Sequence, residues 1–176
     1  DIDCIKSMGK EVKLLAIGKK DGNEVQLRVH PTIIPKDHML ATVKGSFNAV
    51  FLKCSMADDL MLYGRGAGDL PTASAVVSDV LNAAQEAPVY ARFKNVEGEV
   101  DPEIHFNDNW QTGYYLRVQG ADVQKAKASL EKRGIQISQE IALDGDLALI
   151  IDQAYEQEIQ AAVQEMGGVA ALLRMQ

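Results

Sequence analysis

The order of strand and helix patterns in the last third of the chain limits its fold more than any other feature. A strand pattern at 114–118 precedes a helix pattern at 121–132. Two strands joined by an Asp-Gly turn come next, followed by a helix at 154–166 and a last strand at 169–175. This βαββαβ order predicts a ferredoxin-like sandwich, with two helices on one face of a four-stranded antiparallel sheet.

Residues 1–94 alternate strand and helix patterns in an order that predicts a mixed sheet with helices. A helix that ends at Gly9 precedes a strand at 12–17, and a turn at 21–23 leads into a second strand at 24–30. We expect one face of this hairpin to be exposed to solvent. The residues predicted to point inward are Val25, Leu27 and Val29, and those predicted to point outward are Gln26 and Arg28. The whole chain is therefore expected to be an α+β protein.

Prolines and polar residues interrupt this pattern after the second strand. Pro31 is expected to end the strand pairing because proline has no amide hydrogen to donate, and 31–44 is expected to be an irregular but ordered crossing. Two strands follow, at 47–54 and 59–63. The first of them is apolar on both sides from Val50 onward, which predicts burial on both faces.

A glycine-rich turn between a strand and a helix is the strongest chemical signal in the sequence. Gly64, Gly66 and Gly68 follow the strand, and Asp69 caps a long helix that Pro88 is expected to end. Glycines let a ligand approach the backbone, and amides at a helix start favour oxygen ligands. The spacing fits neither the dinucleotide fingerprint nor a P-loop. The residues alone leave two alternatives open, a ligand-binding turn and a tight turn that permits packing under the helix.

Charge and composition argue against several classes of partner. The chain has 18 basic and 25 acidic residues, a formal charge of −7 and no basic cluster, which disfavours nucleic acid and anionic membranes. No apolar run approaches the roughly 18–20 residues of a membrane-spanning helix, and no signal-peptide pattern is present. We therefore expect a cytoplasmic protein. Because the first residue is Asp within a helix pattern, we expect the chain to begin inside a longer polypeptide.

The histidines and cysteines predict no catalytic or metal centre. His30, His38 and His105 lie in different segments without metal-like spacing, and Cys4 and Cys54 lack the Cys-x-x-Cys spacing of zinc sites. No Gly-x-Ser-x-Gly motif occurs, and neither cysteine has the neighbours of a nucleophile. The sequence thus predicts no metal and no complete catalytic set within this chain.

A polar stretch at 95–112 divides the chain. It is rich in asparagine and also contains a glycine and a proline, a composition typical of linkers between domains. We therefore expect two domains, 1–94 and 113–176, separated by this linker.

Four segments of the first half resemble homoserine dehydrogenase, and they occur in that family's order. They read Val-Lys-Leu-Leu-Ala-Ile at 12–17, Val-His-Pro-Thr-Ile-Ile-Pro at 29–35, Phe-Asn-Ala-Val at 47–50 and Tyr-Gly-Arg-Gly-Ala-Gly-Asp-Leu-Pro-Thr-Ala-Ser-Ala-Val at 63–76. The resemblance covers about residues 1–93.

This resemblance implies an NAD- or NADP-dependent enzyme that interconverts aspartate semialdehyde and homoserine in threonine, methionine and isoleucine biosynthesis. Residues 1–94 would be the second half of its catalytic and dimerisation domain, which implies a homodimer. The family's catalytic Lys and Asp and its Rossmann domain lie upstream of this stretch, so the chain alone is expected to be inactive. The implied cofactor-binding residues, which would form part of the wall beside the nicotinamide, are Gly64, Gly66, Gly68 and Thr72.

The βαββαβ segment resembles an ACT domain, a regulatory module that many homoserine dehydrogenases carry at this position. The resemblance implies an amino-acid effector, threonine, and the implied effector-binding residues are Gly120, Ala121, Asp122 and Val123. That loop departs from the Asp-x-Pro-Gly pattern of ligand-binding copies. A retained threonine site and a degenerate module that serves packing or dimer contacts both stay open. A different function also stays open, namely a non-catalytic amino-acid-sensing and oligomerisation module.

Overall fold

The computed structural model describes residues 1–85 and 103–176, which form two compact units. The first unit comprises Asp1–Lys36 and Ile104–Gln176, and the second lies within 37–103. The elements in chain order are α1 (Ile2–Ser7), β1 (Lys10–Asp21), β2 (Glu24–Pro35), β3 (Phe47–Cys54), β4 (Asp58–Arg65), α2 (Asp69–Gln85), β5 (His105–Phe106), β6 (Gln111–Gln119), α3 (Val123–Lys132), β7 (Gln139–Ala142), β8 (Asp146–Tyr155), α4 (Glu156–Met166) and β9 (Ala171–Met175). Short 3-10 helices cover Met39–Thr42 and Gly120–Asp122. The chain is a mixed α+β protein, as the sequence predicts.

The βαββαβ order predicted for the last third of the chain is confirmed. Strands β6 to β9 form an antiparallel arrangement in the order β9-β6-β8-β7. Helices α3 and α4 bury their apolar residues against the same face of these strands. The predicted turn between β7 and β8 is also present, with Gly145 in the left-handed region at φ +79°.

The β1–β2 hairpin extends this same sheet. β2 pairs in parallel with β9 through Thr32–Arg174 and Ile33–Met175, and β5 pairs with the start of β2. The compact units therefore divide the chain differently from the predicted domains, whose bounds stay a prediction. Within the predicted linker, 95–102 lies outside the described residues, and the remainder contributes β5 and the start of β6.

Side-chain alternation gives the first unit a core on each face of its sheet. Tyr114 and Tyr115 are adjacent on β6, so they point to opposite faces, and both are fully buried. Tyr114 packs in a cluster with Leu130 of α3 and Ile159 of α4. Tyr115 packs in a second cluster with Ile5 of α1. Helices α3 and α4 thus cover one face of β6, and α1 packs against the other.

The predicted inward and outward faces of β2 are wrong. Leu27 and Val29, predicted to point inward, are 65% and 70% exposed, whereas Arg28, predicted to point outward, is 7% exposed. His30 is buried on the same face as Arg28. The reason is that the face of Arg28 continues into Thr32, which is paired with Arg174 of β9, and that the Trp110 ring lies over the Arg28 guanidinium, so this face of β2 is the covered one.

Pro31 does not end the strand, contrary to expectation. It pairs with Leu14 of β1, and β2 continues to Pro35, so the predicted irregular crossing shortens to the segment that holds the first 3-10 helix. On the other edge of β2, β5 pairs with 24–25 and pairing with β9 begins at Thr32. Pro31 has no amide hydrogen to donate, but it takes part in neither of these two pairings. Its position therefore removes no hydrogen bond from them.

The described part of the second unit contains the β3–β4 hairpin, helix α2 and the first 3-10 helix. β3 has the predicted bounds, but the predicted burial of both its faces is wrong, because Val50 and Leu52 are 54% and 42% exposed. In the part of the chain that the structure describes, β3 pairs only with β4, and no second layer covers that face. Helix α2 begins at Asp69 as predicted, and the predicted stop at Pro88 lies outside the described residues.

Among the described helices, none is long and apolar enough to cross a membrane.

Candidate functional site

The glycine turn lies between strand β4 and helix α2 of the second unit. β4 continues beyond the predicted end at 63 to Arg65, so Gly64 lies within the strand, paired with Asn48 of β3. Gly66 and Gly68 belong to the turn itself. All three glycines are exposed, so the backbone of this strand–turn–helix junction is open to solvent in the described structure.

The three glycines differ in what an added side chain would meet. Gly68 has φ +126°, a conformation that residues with a Cβ rarely adopt, and a Cβ at Gly66 would lie 2.6 Å from the Cγ of Asn48. At Gly64, no atom of the described residues lies within 4 Å of an added Cβ. Gly68 is therefore required by the backbone of the turn, a side chain at Gly66 would have to displace the exposed Asn48 side chain, and Gly64 leaves open space beside its backbone.

The turn is held against the start of β3. The amide of Gly66 donates a hydrogen bond to the carbonyl of Ser46 at 3.1 Å, and the Nη1 of Arg65 donates to the Ser46 hydroxyl at 3.3 Å. The guanidinium of Arg65 lies 4.7 Å from the ring centroid of Phe47, which stacks on Tyr63 at 4.8 Å. These contacts fix the position of the turn relative to the hairpin.

Thr72 contacts the turn through its backbone. Its amide donates to the carbonyl of Gly68 at 3.1 Å, which is the first hydrogen bond of helix α2, and its side chain is exposed. The predicted cofactor-binding role of Thr72 and of the three glycines stays a prediction, because no ligand contact tests it.

The predicted effector loop is the 3-10 helix that joins β6 to α3. The amide of Gly120 donates to the carbonyl oxygen of Gly145 at 3.1 Å, and a Cβ at Gly120 would lie 2.7 Å from that oxygen. Val123 packs against the core beneath α3, whereas Ala121 and Asp122 are exposed. Packing therefore explains why glycine stands at 120 and an apolar residue at 123. Effector binding by this loop stays a prediction.

A buried polar cluster, absent from the sequence-based candidates, lies on the helix-covered face of the first unit. Its centre is Glu156, the first residue of α4, which is 7% exposed. Its carboxylate accepts hydrogen bonds from the Tyr114 hydroxyl at 2.9 Å, from Gln160 Nε2 at 2.8 Å and from Arg174 Nε at 2.9 Å. Arg174 Nη2 donates to the second carboxylate oxygen, which completes a two-point contact.

The cluster shifts the pKa values of its members. Burial opposes ionisation of Glu156, but the hydrogen bonds from Arg174, Gln160 and Tyr114 outweigh burial and lower the pKa of its carboxyl group. Burial and the adjacent Glu156 carboxylate raise the pKa of the Tyr114 hydroxyl above its ordinary value. In the sequence, Glu156 is recognisable only as an acidic residue at the start of a helix. Such residues are common on protein surfaces, so this position does not indicate burial.

The histidines do not converge on a metal. His38 caps the first 3-10 helix by accepting the amide of Leu40 at 3.1 Å, and the Nδ1 of His30 lies 3.0 Å from the hydroxyl of Thr32. Across residues 1–85 and 103–176, no group of three or more His, Cys, Asp or Glu side chains is arranged to hold a metal ion.

Comparisons with known proteins agree on one family. Residues 1–81 match the homoserine dehydrogenase family. The homoserine dehydrogenase of Synechocystis sp. is 32% identical over 191 residues, which cover 98% of this chain and 44% of that protein. This chain belongs to the homoserine dehydrogenase family. The Neisseria gonorrhoeae homoserine dehydrogenase is 41% identical over 128 residues, which cover 69% of this chain and 29% of that protein.

The fold agrees with this assignment over the whole chain. The crystal structure of a homoserine dehydrogenase from Thiobacillus denitrificans matches with a TM-score of 0.76 at 26% identity, over 100% of this chain and 44% of that one. The chain thus spans less than half the length of the homoserine dehydrogenases that it matches. The family match contains the whole glycine turn, and the predicted ACT-like identity of 113–176 lies beyond it and stays a prediction.

Proposed function

We propose that this chain supplies part of an NAD- or NADP-dependent homoserine dehydrogenase, which interconverts aspartate semialdehyde and homoserine in the cytoplasm. This activity would serve threonine, methionine and isoleucine biosynthesis. The observation that carries the proposal is the exposed strand–turn–helix junction at Gly64–Gly68, which lies inside the family match. The proposed catalytic residues and the Rossmann domain belong to an upstream part of the enzyme, so the chain alone is expected to be inactive.

The residues of the turn fit a cofactor wall. At Gly64 the backbone carries no side chain, and an added Cβ would meet no atom of the described residues within 4 Å, so a flat ring can lie against the strand there. The nicotinamide, when bound, supplies or accepts the hydride. The proposed work of this chain is to position that ring, with Gly66 and Gly68 holding the turn and the Thr72 amide anchoring it to α2.

A pair of valine substitutions tests this role in the complete enzyme. Gly64→Val would fill the open space beside the strand, and we expect at least a tenfold rise in the KM for the cofactor. Ala142→Val is the control, because it places the same side chain at an exposed strand position, on β7, that belongs neither to the turn nor to the β1–β2 hairpin. Unchanged cofactor kinetics in Gly64→Val would remove the turn from the cofactor site.

We also propose that the chain contributes to a homodimer. The support is an apolar face of the β1–β2 hairpin, on which Leu14, Leu27 and Val29 are 73%, 65% and 70% exposed. Cross-strand pairing of Leu14 with Pro31 and of Ala16 with Val29 places these side chains on one face. Val29→Glu should shift sedimentation from dimer towards monomer. A dimer of unchanged stability would place the interface elsewhere.

A second candidate function is that of an amino-acid-sensing and oligomerisation module without catalysis. The βαββαβ topology and the close approach of Gly120 to Gly145 support an ACT-like module with threonine as its proposed effector. Calorimetric titration with threonine should then give a saturable heat that Asp122→Ala, a change at an exposed position of the proposed loop, reduces. A flat trace would count against threonine sensing and leave the module with packing or dimer contacts.

A further inference from the structure

Arg28 is a buried arginine whose binding edge has no protein partner. It lies on the helix-covered face of β2 and is 7% exposed. Its Nη1 donates a long hydrogen bond of 3.4 Å to the Gln26 side chain. Its Nε and Nη2 are buried and have no hydrogen-bond partner among residues 1–85 and 103–176. These two nitrogens form the side edge of the guanidinium, which presents two parallel N–H donors.

Trp110 covers this arginine and brings a further donor. The guanidinium carbon lies 5.0 Å from the centroid of the indole ring, so the aromatic face occupies one side of the cation. The indole Nε1 is also buried without a hydrogen-bond partner in the described part of the chain.

The position of Trp110 is fixed by its own backbone. The amide of Glu156 donates to the Trp110 carbonyl at 2.9 Å, and the amide of Gln157 donates to the side chain of Asn109 at 3.0 Å. Asn107 in turn donates to Glu24 of β2 at 2.9 Å. The segment is thus tied to the start of α4 and to β2, so the donors are held in place before any ligand arrives.

Arg174, on the same face, shows what such an edge binds. Its Nε and Nη2 donate hydrogen bonds to the two oxygens of the Glu156 carboxylate. The same pair of atoms on Arg28 has no carboxylate partner in the described chain. Among the described residues, the buried Arg28 and the partly buried Arg174 therefore share one buried carboxylate, that of Glu156. Because burial lowers the pKa of His30 and favours its neutral form, the cluster carries one uncompensated positive charge near neutral pH.

We propose that Arg28 and Trp110 bind the carboxylate of a small monocarboxylic acid. Its two oxygens accept the Nε and Nη2 hydrogens of Arg28, and one of them also accepts the indole hydrogen of Trp110. A single negative charge balances the cluster, whereas a dianion would leave an excess negative charge in a buried place. The proposed site uses Arg28 of β2 and Trp110, neither of which belongs to the glycine turn or to the 120–123 loop, and it does not rest on the dehydrogenase proposal.

Trp110 makes the site directly observable because it is the only tryptophan of the 176-residue chain. The chain is titrated with sodium acetate as the probe, with sodium chloride replaced step by step so that the ionic strength stays constant. We expect a saturable change in tryptophan emission together with a rise in Tm. A trace that matches chloride alone would overturn the proposal. Inorganic phosphate that binds as tightly as acetate would overturn the assignment to a monocarboxylate.

A charge-conserving substitution distinguishes binding by the two parallel N–H donors of Arg28 from binding by its positive charge alone. Arg28→Lys keeps the positive charge and loses the two parallel donors, and we expect acetate binding to weaken at least tenfold. Arg133→Lys is the matched control, because Arg133 pairs with Glu165 at the surface, and it should bind acetate like the unsubstituted chain. Equal acetate affinity in Arg28→Lys would contradict the proposal.

A second variant covers the case in which Arg28→Lys does not fold. Trp110→Phe keeps an aromatic face over Arg28 and removes the N–H donor, so the acetate-induced rise in Tm should shrink. A rise in Tm as large as that of the unsubstituted chain would remove Trp110 as a ligand-binding residue and contradict the proposed site.

Discussion

The two compact units of this chain bury their apolar residues to very different extents. In the first unit, Tyr114, Leu130 and Ile159 are fully buried on one face of the sheet, and a second cluster fills the other face. In the second unit, no residue of α2 is buried, and Val80 and Leu81 are 62% and 53% exposed. A two-stranded hairpin with a single uncovered helix is marginal by itself. Among the described residues, the first unit therefore has a packed core on each face of its sheet, whereas the second leaves many apolar side chains of its hairpin and helix exposed.

This difference in burial agrees with the different roles proposed for the two units. The self-contained unit carries the proposed regulatory module and the carboxylate cluster. The open unit carries the glycine turn, and its apolar side chains are the surface that we expect the upstream part of the complete enzyme to cover. Matched substitutions in the two units test whether they differ in this way.

The largest expected effect comes from the same leucine truncation in a helix of each unit. Leu130→Ala in α3 removes a fully buried side chain and should lower the free energy of unfolding by about 3–5 kcal/mol. Leu81→Ala in α2 should change it by less than about 0.5 kcal/mol, because that side chain is already exposed. Urea unfolding followed by circular dichroism measures both. Equal losses would show that α2 has a packed core after all.

The next effect tests the buried charge cluster of the first unit. Glu156→Gln leaves the partly buried Arg174 guanidinium without its carboxylate and should lower the free energy of unfolding by about 2–3 kcal/mol. The control is Glu165→Gln, which removes a surface partner of Lys132 and Arg133 and should change stability little. If the two variants were equally stable, the cluster would not be an important contribution to the first unit.

The cluster also predicts a loss of stability on acidification. Burial lowers the pKa of His30, so its contribution is present above its ordinary value of 6.5 and is lost as the pH falls, when the unfolded chain binds the proton first. Glu156 also has a lowered pKa, so its contribution is lost later, below its ordinary value of 4.5. Tm measured from about pH 8 down to about pH 2 should therefore fall in two stages, the first beginning below 6.5 and the second below 4.5.

A histidine pair assigns the first of these stages. His30→Gln should remove the stage that begins near neutral pH, whereas the exposed His105 on β5 can be changed to Gln without altering the profile. A first stage that persists in His30→Gln would assign it to another group.

The smallest expected effect is that of a surface ion pair in the first unit. Lys127 and Glu140 lie 2.7 Å apart with partly exposed side chains. Lys127→Ala should lower the free energy of unfolding by less than about 1 kcal/mol. A loss comparable to that of Glu156→Gln would mean that burial does not separate strong from weak charge pairs in this unit.

Local patterns predicted much of the fold. The bounds of β3, the Asp-Gly turn before β8 and the apolar face of α3 depend on residues near each other in sequence, and the structure confirms them. The glycine turn was also recognisable, because its glycines follow one another within five residues and Gly68 has a backbone conformation that favours glycine.

The faces of β2 and the polar cluster could not be predicted in the same way. Arg28 is buried because Trp110 lies over it, and Glu156 is buried because Tyr114 and Arg174 donate to it. These partners are distant in sequence, and alternation alone assigns apolar side chains to the core. The exposure of Val50 and Leu52 has the opposite cause, because their apolar pattern predicts a cover that the described residues do not provide.

The central claim is that this chain works as part of a homoserine dehydrogenase. The most direct test replaces the matching segment of the Synechocystis homoserine dehydrogenase with this chain, which aligns with it over 98% of the chain's length. Homoserine-dependent reduction of NAD or NADP is then measured for the hybrid and for the chain alone. The account predicts turnover by the hybrid and none by the chain alone. A folded hybrid without activity, or turnover by the isolated chain, would contradict it.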